Sequence, residues 1–470
     1  MGKLKVLLMK PYSKADELIP PFSLGYLATA IRDNHDVWIL DGIKEEMTFK
    51  NFENFLEKES FDVIGIQIFT FHINIVKNYI KIIRRVNPAI KIILGGPHPS
   101  CDPENIFNYF PEINVAFKGE AEIGLAKLLD LFSAKEKTER SDFLDIPGLI
   151  WRDENNQTIV NQQIFMEDLD SFGFPSWDLL RPDTYPLAPH GAFFKNYPIA
   201  PIIVTRGCPF SCTFCAGRMV SGRKIRRRSI SSVIEEIKEL YHKYGIREIH
   251  IEDDNFTFYK DLVMEFCRQL KKNNLNISWT CPNGVRLDTL DKELLLTMKE
   301  NGLYSISVGI ESGSDRILAH MQKSLNTEKI REKIRLIKEV GLEIIGFFVI
   351  GYPAETRKDI LQTIEFAKEL NLKRATFSIF KPYPGIPATE RLMASGELSA
   401  ELYKDWDKYI LADAVYAPPG LTTEELKNLR RRAFLQFYLR PKILVKMLSE
   451  IKNFQHFRIV NRRIYRWIFK

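Results

Sequence analysis

Apolar residues in the first 130 positions fall into short continuous runs and do not alternate with polar ones. Five such runs are predicted strands: "KLKVLLMKP" (3–11), "DVWILDG" (36–42), "FDVIGIQIFT" (61–70), "KIILGGPHPS" (91–100) and "NVAFKGEAE" (114–122). Such runs are typical of parallel strands covered on both faces, and stretches with helical periodicity separate them. The pattern predicts an α/β, doubly wound Rossmann-like sheet, in which ligands bind beyond the carboxyl ends of the strands.

The same alternation resumes at residue 201. Six further predicted strands lie at 201–207, 247–254, 276–284, 304–312, 343–351 and 374–382, with helical stretches between them. Six strand–helix units predict a partial, TIM-like (β/α)6 barrel, with its chemistry at the carboxyl ends of the strands.

Changes in this pattern divide the 470 residues into four predicted parts. Two or three domains are expected for a chain of this length. The connector contains a predicted strand pair at 148–160 and a segment rich in proline and aromatic residues, which favours ordered packing over a flexible linker. The parts are a Rossmann-like domain (1–133), the connector (134–197), the barrel (198–385) and a helical, basic C-terminal region (386–470).

Charge is concentrated at the C-terminal end. The net charge is +7, yet residues 430–470 contain twelve Lys and Arg against the single acid Glu450. "FLQFYLRPKILVKMLSEI" (434–451) interleaves apolar and basic residues, which is typical of a helix at a membrane surface, of one covering an active site, or of a basic helix packed on the barrel. No leader opens the chain and no apolar run approaches the ~20 residues that span a bilayer, so a cytoplasmic location is expected, with peripheral membrane contact through 430–470.

Three of the six cysteines stand within eight positions in "TRGCPFSCTFCAG" (205–217). They are Cys208, Cys212 and Cys215, and the spacing C-x3-C-x2-C lets three sulfurs converge from one loop after a strand. Zinc is the alternative, but it requires a fourth ligand, and no His or further Cys lies within ten residues of the loop. The spacing therefore favours a [4Fe–4S] cluster with one iron left open.

The stretch "CPFSCTFC", with an aromatic residue before its last cysteine, resembles the signature of the radical SAM superfamily. The resemblance implies that the open iron is chelated by the amino and carboxylate groups of S-adenosylmethionine (SAM). One-electron reduction then cleaves SAM to a 5′-deoxyadenosyl radical. The predicted barrel resembles the partial barrel of this family as well.

The resemblance also implies SAM-binding residues at the strand ends. Glu252, Asp253 and Asp254 in "HIEDDNF" stand where many relatives have Gly-Gly-Glu, and a carboxylate is a suitable acceptor for the SAM ammonium group. Three solvated acids at a strand end are the alternative.

Three further residues are SAM candidates on the same grounds. Arg286 in "NGVRLD" is a candidate partner of the SAM carboxylate, with a surface ion pair as the alternative. Gly309 in "VGIESGS" allows close approach of the adenosine, and Glu311 is an acceptor for its ribose hydroxyls or amino group.

An open sheet before such a barrel resembles the cobalamin-binding domain of the cobalamin-dependent radical SAM class. The histidine motif of other cobalamin proteins is not matched, because Trp38 replaces its glycine in "DNHDVW". His35 is therefore expected at the surface or in a cap, and the cobalt without a protein histidine below it. The candidate cobalamin contacts, which lie at or near the strand ends, are Gln67, Thr70, Gly95, Gly96, His98, Gly119 and Glu120.

The function implied is that of an enzyme that methylates an unactivated carbon through methylcobalamin, with no catalytic residue beyond the cluster. The alternatives are an oxidative cyclisation or rearrangement, as in the anaerobic magnesium-protoporphyrin ester cyclases, and a non-catalytic cobalamin or redox sensor. The expected partners are a small-molecule or lipid-like substrate and an electron donor of the flavodoxin or ferredoxin type. The basic run "SGRKIRRRS" (221–229) is either an anion-binding segment or a solvated loop, and nucleic acid is the least favoured ligand.

Overall fold

The computed structural model describes residues 2–13, 18–135, 138–187, 194–410 and 413–469. The chain forms two compact units, each described separately below. The first consists of residues 1–181, 216–227 and 383–385, and the second of residues 182–215, 228–382 and 386–470.

The first unit is built on a seven-stranded sheet. Its strands are β1 (Lys5–Lys10), β2 (Asp36–Asp41), β3 (Val63–Gln67), β4 (Lys91–Gly95), β5 (Val115–Phe117), β6 (Leu149–Arg152) and β7 (Thr158–Val160). The order is β2-β1-β3-β4-β5-β6-β7, parallel from β2 to β5 and antiparallel from β5 to β7. This confirms the predicted doubly wound sheet. The strand pair β6–β7, which the sequence places in the connector, extends it.

Helices cover this sheet because their apolar stripes match the buried faces of the strands. Val6 and Leu8 of β1 pack in one cluster with Leu24 and Ala28 of the first helix. The helices of the unit are α1 (Phe22–Ile31), α2 (Phe49–Lys58), α3 (Ile73–Val86), α4 (Pro97–Cys101), α5 (Ile106–Tyr109), α6 (Glu122–Ala134), α7 (Trp177–Leu180) and α8 (Gly217–Ser221).

The second unit contains a six-stranded parallel sheet. Its strands are β8 (Ile199–Ile202), β11 (Glu248–Ile251), β12 (Ser278–Val285), β13 (Leu303–Glu311), β14 (Glu343–Ile350) and β15 (Arg374–Ile379). Two further strands have two residues each: β9 (Thr205–Arg206) belongs to this unit and β10 (Arg226–Arg227) to the first. The six strands lie side by side in sequence order, each parallel to the next. This arrangement confirms the predicted partial barrel, whose functional end is the carboxyl end of the strands.

Five of the helices described for the second unit begin at side-chain caps. Ser229, Asp291, Asn326, Thr356 and Thr422 each accept a backbone N–H in the first turn of the following helix. The helices are α9 (Ile230–Lys243), α10 (Lys260–Lys272), α11 (Lys292–Glu300), α12 (Asp315–His320), α13 (Thr327–Val340), α14 (Arg357–Glu369), α15 (Pro387–Ala394), α16 (Thr423–Tyr438), α17 (Pro441–Ser449) and α18 (Phe454–Phe469).

Short 3-10 helices connect several of these elements. Two of them, Thr70–His72 and Leu287–Thr289, directly follow strand ends that carry candidate ligand contacts. The others are Arg140–Phe143, Leu169–Phe172, Pro182–Thr184, Phe256–Phe258, Ala400–Lys404 and Trp406–Tyr409.

Helix α16 covers the edge strand β15. The hydroxyl of Tyr438 donates to the carbonyl of Ala375 (2.9 Å) and accepts from its N–H (3.2 Å), and Nε of Arg430 donates to the carbonyl of Phe377 (3.1 Å). These contacts satisfy backbone groups that an open edge would expose. This part of the basic region is therefore a helix packed on the sheet. No helix in the described ranges is long and apolar enough to cross a lipid bilayer.

Candidate cofactor-binding site

The cysteine loop, residues 207–215, follows β9 in the second unit. Cys208 and Cys212 are half-buried and Cys215 is exposed. The N–H of Cys215 donates to the carbonyl of Cys212 (3.2 Å), which closes a turn between these two cysteines. Burial raises the pKa of the Cys208 thiol, and the nearby Asp254 and Cys212 raise it further. The loop thus keeps two of its thiols partly shielded from solvent and leaves the third accessible to it.

The number of these cysteines and their spacing along the chain suit an iron–sulfur cluster. Among the described residues, no three Cys, His, Asp or Glu side chains are grouped to hold one metal ion. A zinc site needs all its ligands on the same ion, whereas each cysteine of an iron–sulfur cluster binds a different iron. Three cysteines on one short loop are the donor set that a three-cysteine cluster needs.

Asp253 fastens the chain that leads into the loop. Its carboxylate accepts the N–H groups of Val204 (2.8 Å) and Thr205 (2.8 Å) and the Thr205 hydroxyl (2.7 Å). The residue is 2% exposed, and burial raises its pKa to about 7 in spite of these donors. Both oxygens are engaged within the chain, so the structure gives Asp253 a positioning role, and its contact with SAM stays a prediction.

The neighbouring acids differ in their surroundings. Glu252 is buried at the end of β11, where its carbonyl accepts from Nδ2 of Asn283 (2.9 Å), whereas Asp254 is exposed and lies near the Cys208 thiol. The alternative of three solvated acids is therefore wrong, because two of them are buried. Asp254 is the most exposed of the three.

Asn255, which the sequence did not single out, fits a ligand at this strand end. It is 1% exposed, its Oδ1 accepts the N–H of Arg286 (3.4 Å), and its Nδ2 has no hydrogen-bond partner within the described residues. A buried amide donor without a partner costs about 1–3 kcal/mol, which a ligand oxygen would recover. The residues at this end of β11 therefore suit the polar methionyl end of SAM. The position of Asn255, directly after the three acids in the sequence, was the signal that could have identified it.

Arg286 lies against the cysteine loop in a buried ion pair. Its Nε and Nη2 donate to the two carboxylate oxygens of Asp288 (2.9 and 2.8 Å), and Nη2 also donates to the carbonyl of Lys323 (2.7 Å). The guanidinium carbon is 3.7 Å from the centre of the Phe210 ring. From the sequence, a surface ion pair was the alternative to a SAM contact for Arg286. The ion pair is present, but it is not at the surface, because Arg286 is 6% exposed.

Gly309 and Glu311 form one arrangement at the end of β13. Glu311 accepts from Nζ of Lys323 (2.8 Å), and both side chains are less than a tenth exposed. A Cβ atom at position 309 would meet the charged ends of both side chains, so this pair would have to move to accommodate it. Contacts of Gly309 and Glu311 with adenosine remain predictions.

Thr213 holds the middle of the cysteine loop and was missed in the sequence. Its hydroxyl is hydrogen-bonded to that of Tyr352 (2.7 Å), its N–H donates to the carbonyl of Met321 (3.1 Å), and its carbonyl accepts from Ala388 (3.0 Å). Three separate segments thus fix one residue between two predicted iron ligands. No local pattern reveals this, because the partners are more than a hundred positions away.

We expect Thr213→Val to loosen the loop while keeping its shape. The hydroxyl hydrogen bonds are lost and the Tyr352 hydroxyl loses a buried partner, which costs about 1–2 kcal/mol. Urea denaturation measures this loss, and iron retained after gel filtration measures the weaker hold on the cluster. Thr389→Val is the matched control, because that hydroxyl is 1% exposed and has no partner among the described residues. Equal losses in both variants would contradict the role of Thr213.

The cobalamin candidates of the first unit lie around the ends of β3 and β4. Nε2 of Gln67 donates to Ser23 (3.0 Å), and the Thr70 hydroxyl is hydrogen-bonded to Nδ1 of His98 (3.2 Å). A Cβ atom on Gly95 would meet nothing within 4 Å, which leaves room for a ligand at this strand end. The end of β4 is therefore open at Gly95, and contact of these residues with cobalamin stays a prediction.

Gly96 has a different reason to be glycine. Its φ of 112° is unfavourable for other residues, and a Cβ atom would lie 3.1 Å from the carbonyl oxygen of Ile68. His98, on the helix that follows, is completely buried, and burial lowers its pKa to about 3. It is therefore a neutral core residue that pairs with Thr70.

Glu120 is engaged with the basic run 221–229. Nη1 and Nη2 of Arg226 donate to its two oxygens (2.7 and 2.6 Å), and Arg226 is 3% exposed. The N–H of Gly119 donates to Ser100 (2.9 Å). Arg228 is likewise buried and bound to Glu236, so the basic run is neither a solvated loop nor free to bind an anion at these two positions. Contact of Gly119 or Glu120 with cobalamin stays a prediction.

Two histidines of this unit differ from what the sequence indicates. His35 is not at the surface: it is 4% exposed, with Nε2 3.6 Å from Asp130. His72, which the sequence did not single out, is 2% exposed between Phe69 and Phe71, and neither of its ring nitrogens has a partner within the described part of the chain. Burial first, and the charge of Lys10 second, lower its pKa to about 3.

His72 makes the fold sensitive to acid. Unfolded, it binds a proton below about pH 6.5, but folded it stays neutral to about pH 3, so its contribution to stability is present above pH 6.5 and is lost as pH falls towards 3. At pH 5 the loss is about 2 kcal/mol. We therefore expect the free energy of unfolding to fall less between pH 7 and pH 5 in His72→Phe than in the parent. Urea denaturation at the two pH values measures this difference. The exposed His242→Phe is the control, and an unchanged pH dependence in His72→Phe would contradict the assignment.

Comparison with known proteins agrees with the two units. The family model of the B12 binding domain matches residues 12–129, and that of the radical SAM superfamily matches residues 202–367. An uncharacterised methyltransferase of Pyrococcus horikoshii is 33% identical over 460 residues, which are 97% of this chain and 96% of that protein. The chain belongs to the cobalamin-dependent radical SAM family. It is therefore an enzyme of that family, and the sensor alternative is set aside.

Two further relatives show the breadth of this family. The anaerobic magnesium-protoporphyrin IX monomethyl ester cyclase of Cereibacter sphaeroides is 25% identical, over 90% of this chain and 68% of its own. The fold is similar to that of the radical SAM methyltransferase TsrM from Kitasatospora setae, with a TM-score of 0.68 and 19% identity over 85% of this chain and 80% of that one. The cofactors of this radical SAM enzyme are a [4Fe–4S] cluster, SAM and cobalamin.

Proposed function

We propose that this radical SAM enzyme transfers a methyl group from methylcobalamin to an unactivated carbon of a small molecule. The P. horikoshii relative, which matches almost the whole chain, is called a methyltransferase. The observation that carries the proposal is a cysteine loop fixed at three points, by Asp253, Thr213 and Arg286, in a chain that also contains a B12-binding domain. When bound, the cluster and SAM supply one-electron chemistry and cobalamin supplies the methyl group.

The chain's own residues provide position and exclude water. Cys208, Cys212 and Cys215 bind the cluster, and Glu252 and Asn255 hold the ammonium and carboxylate of SAM. These two polar residues are buried at a strand end, where hydrogen bonds to a charged ligand are strong. No side chain is required as a nucleophile or general base, because the cofactors carry the bond-making chemistry.

Transfer of labelled methyl groups tests the proposal. The reconstituted holoenzyme receives SAM labelled in its methyl carbon, a cell extract as the source of substrate, and a chemical reductant. We expect label in a small-molecule product whose mass rises by one methylene unit, and none with Cys212→Ala. An unlabelled, dehydrogenated or cyclised product would contradict methylation and favour the cyclase-like reaction of the C. sphaeroides relative.

We also propose that a flavodoxin- or ferredoxin-type protein delivers the electron. The exposed Cys215 brings one ligand of the cluster to the surface, as electron transfer from a docked protein requires. Reduced flavodoxin or ferredoxin should support SAM cleavage in place of the chemical reductant. Cleavage with the chemical reductant but none with either reduced protein would contradict this.

We further propose that the C-terminal helices contact an anionic membrane surface, which suits a lipid-like substrate. Val445 (68% exposed) and Leu448 (52% exposed) present an apolar stripe on α17, and Phe454 (75% exposed) does so on α18. Lys442 and Arg458 are exposed beside them. An exposed apolar stripe flanked by basic residues is typical of interfacial helices.

Vesicle flotation tests this contact. We expect binding to vesicles of phosphatidylcholine with phosphatidylglycerol and little to phosphatidylcholine alone. The double substitution Val445→Glu and Leu448→Glu should lower the bound fraction about tenfold, because it removes apolar area and adds repulsion. Leu296→Glu on α11, which is 39% exposed, is a control for a charge placed elsewhere. Equal flotation of the parent chain and the double variant would contradict the proposal.

A further inference from the structure

Arg286 contacts a predicted cluster ligand directly. Its Nη1 donates to Sγ of Cys212 at 3.9 Å, and its guanidinium carbon lies 3.7 Å from the ring centre of Phe210, two residues before this cysteine. One buried cation therefore contacts a predicted iron-binding sulfur directly.

The protein fixes this guanidinium in place from the opposite side. Asp288 accepts two of its N–H groups and the carbonyl of Lys323 a third, so the planar fork has one orientation. Arg286 is 6% exposed, and at that depth solvent ions screen its charge little. Burial raises the pKa of Asp288, but the hydrogen bond and charge of Arg286 outweigh this and keep it lowered. The Asp288 carboxylate therefore stays ionised, and its ion pair holds the Arg286 side chain against the loop.

We propose that Arg286 is a positioning residue that raises the reduction potential of the cluster through Cys212. An N–H group that donates to a cysteine sulfur, together with a buried positive charge, stabilises the additional electron of the reduced cluster. This role goes beyond the SAM contact predicted from sequence. It concerns the cluster alone, so it stands whether the reaction is methylation or cyclisation.

A redox titration of the holoprotein without SAM tests the inference. The reduced cluster is quantified by electron paramagnetic resonance at set potentials. At the potential where half of the parent's clusters are reduced, Arg286→Met should show a ratio of reduced to oxidised cluster about tenfold lower, which is about 59 mV for one electron. Arg268→Met is the control, because it removes an arginine that is 68% exposed on α10 and should leave the ratio unchanged.

Asp288→Asn provides an effect of opposite sign. Without the counter-charge, the field of Arg286 at the sulfurs is stronger, and the reduced fraction should rise about threefold at the same potential. If the substitution only made the loop less ordered, the reduced fraction of the cluster would not rise. If both variants show the parent's ratio of reduced to oxidised cluster, the proposal is overturned. It is also overturned if this ratio is unchanged in Arg286→Met while equilibrium dialysis shows weakened SAM binding, because that result would assign the arginine to SAM. If Arg286→Met assembles no cluster, Asp288→Asn alone decides: an unchanged ratio overturns the proposal.

Discussion

Cys212→Ala is expected to abolish the cluster and all reductive cleavage of SAM. A three-cysteine site has no spare ligand, and no other cysteine stands in this loop. The iron content should fall from about four per chain to near zero, with loss of the brown absorbance of the cluster. Formation of 5′-deoxyadenosine should fall below detection. Anaerobic iron analysis and chromatography of the reaction mixture measure the two effects.

Cys267→Ala is the matched control for this prediction. Cys267 is completely buried on α10, and burial raises its pKa to about 12, so it remains a protonated core residue and not a metal ligand. The substitution should cost about 1 kcal/mol of stability through the small cavity it leaves, with full iron content and SAM cleavage. Full iron content in Cys212→Ala would contradict the assignment, and so would zinc in place of iron in the anaerobically reconstituted parent.

The pattern of apolar residues predicted the strands because burial on both faces leaves a strong local signal. The run at 343–351 became β14 (Glu343–Ile350), and that at 36–42 became β2 (Asp36–Asp41). The cysteine loop was predicted for a similar reason, since three ligands from eight residues form a local pattern. Neither prediction depends on where distant segments lie.

The residues that position the loop could not be predicted in this way. Thr213 owes its role to Tyr352, Met321 and Ala388, which only the folded chain brings together. The same holds for the basic run, for which the sequence allowed an anion-binding segment or a solvated loop. Arg226 and Arg228 are instead buried against Glu120 and Glu236. The sequence gives the charge of each residue, but only the fold shows which carboxylate pairs with it.

Three buried residues, Asp253, Thr213 and Arg286, hold the cysteine loop in place. Asp253 holds the chain before the first cysteine, Thr213 holds the segment between the second and third, and Arg286 holds Phe210 and Cys212. All three are less than a tenth exposed, so water does not compete with their hydrogen bonds. A loop held in this way keeps its sulfurs in place before the cluster binds, which lowers the entropic cost of binding.

The largest loss of stability is expected from Arg228→Met. Its guanidinium is bound to Glu236 of α9, to the carbonyl of Ile203 (3.0 Å) and to the hydroxyl of Ser232 (2.9 Å). The side chains of the ion pair are 1% and 0% exposed, so removing the arginine leaves a carboxylate buried without its counter-charge. Breaking such a pair costs about 3–5 kcal/mol. The pair joins the chain after β10 to helix α9, and the second unit should unfold about 10 °C lower.

Two further variants separate the charge from the packing. Lys238→Met breaks an exposed ion pair with Glu235 on the same helix and should cost less than about 0.5 kcal/mol. The double variant Arg228→Met with Glu236→Met should recover most of the loss, because apolar residues of similar volume replace a buried pair at little cost. Thermal unfolding of the anaerobic holoproteins measures all three. A double variant no more stable than Arg228→Met would show that the loss comes from the hydrogen bonds to Ile203 and Ser232, and not from the stranded charge of Glu236.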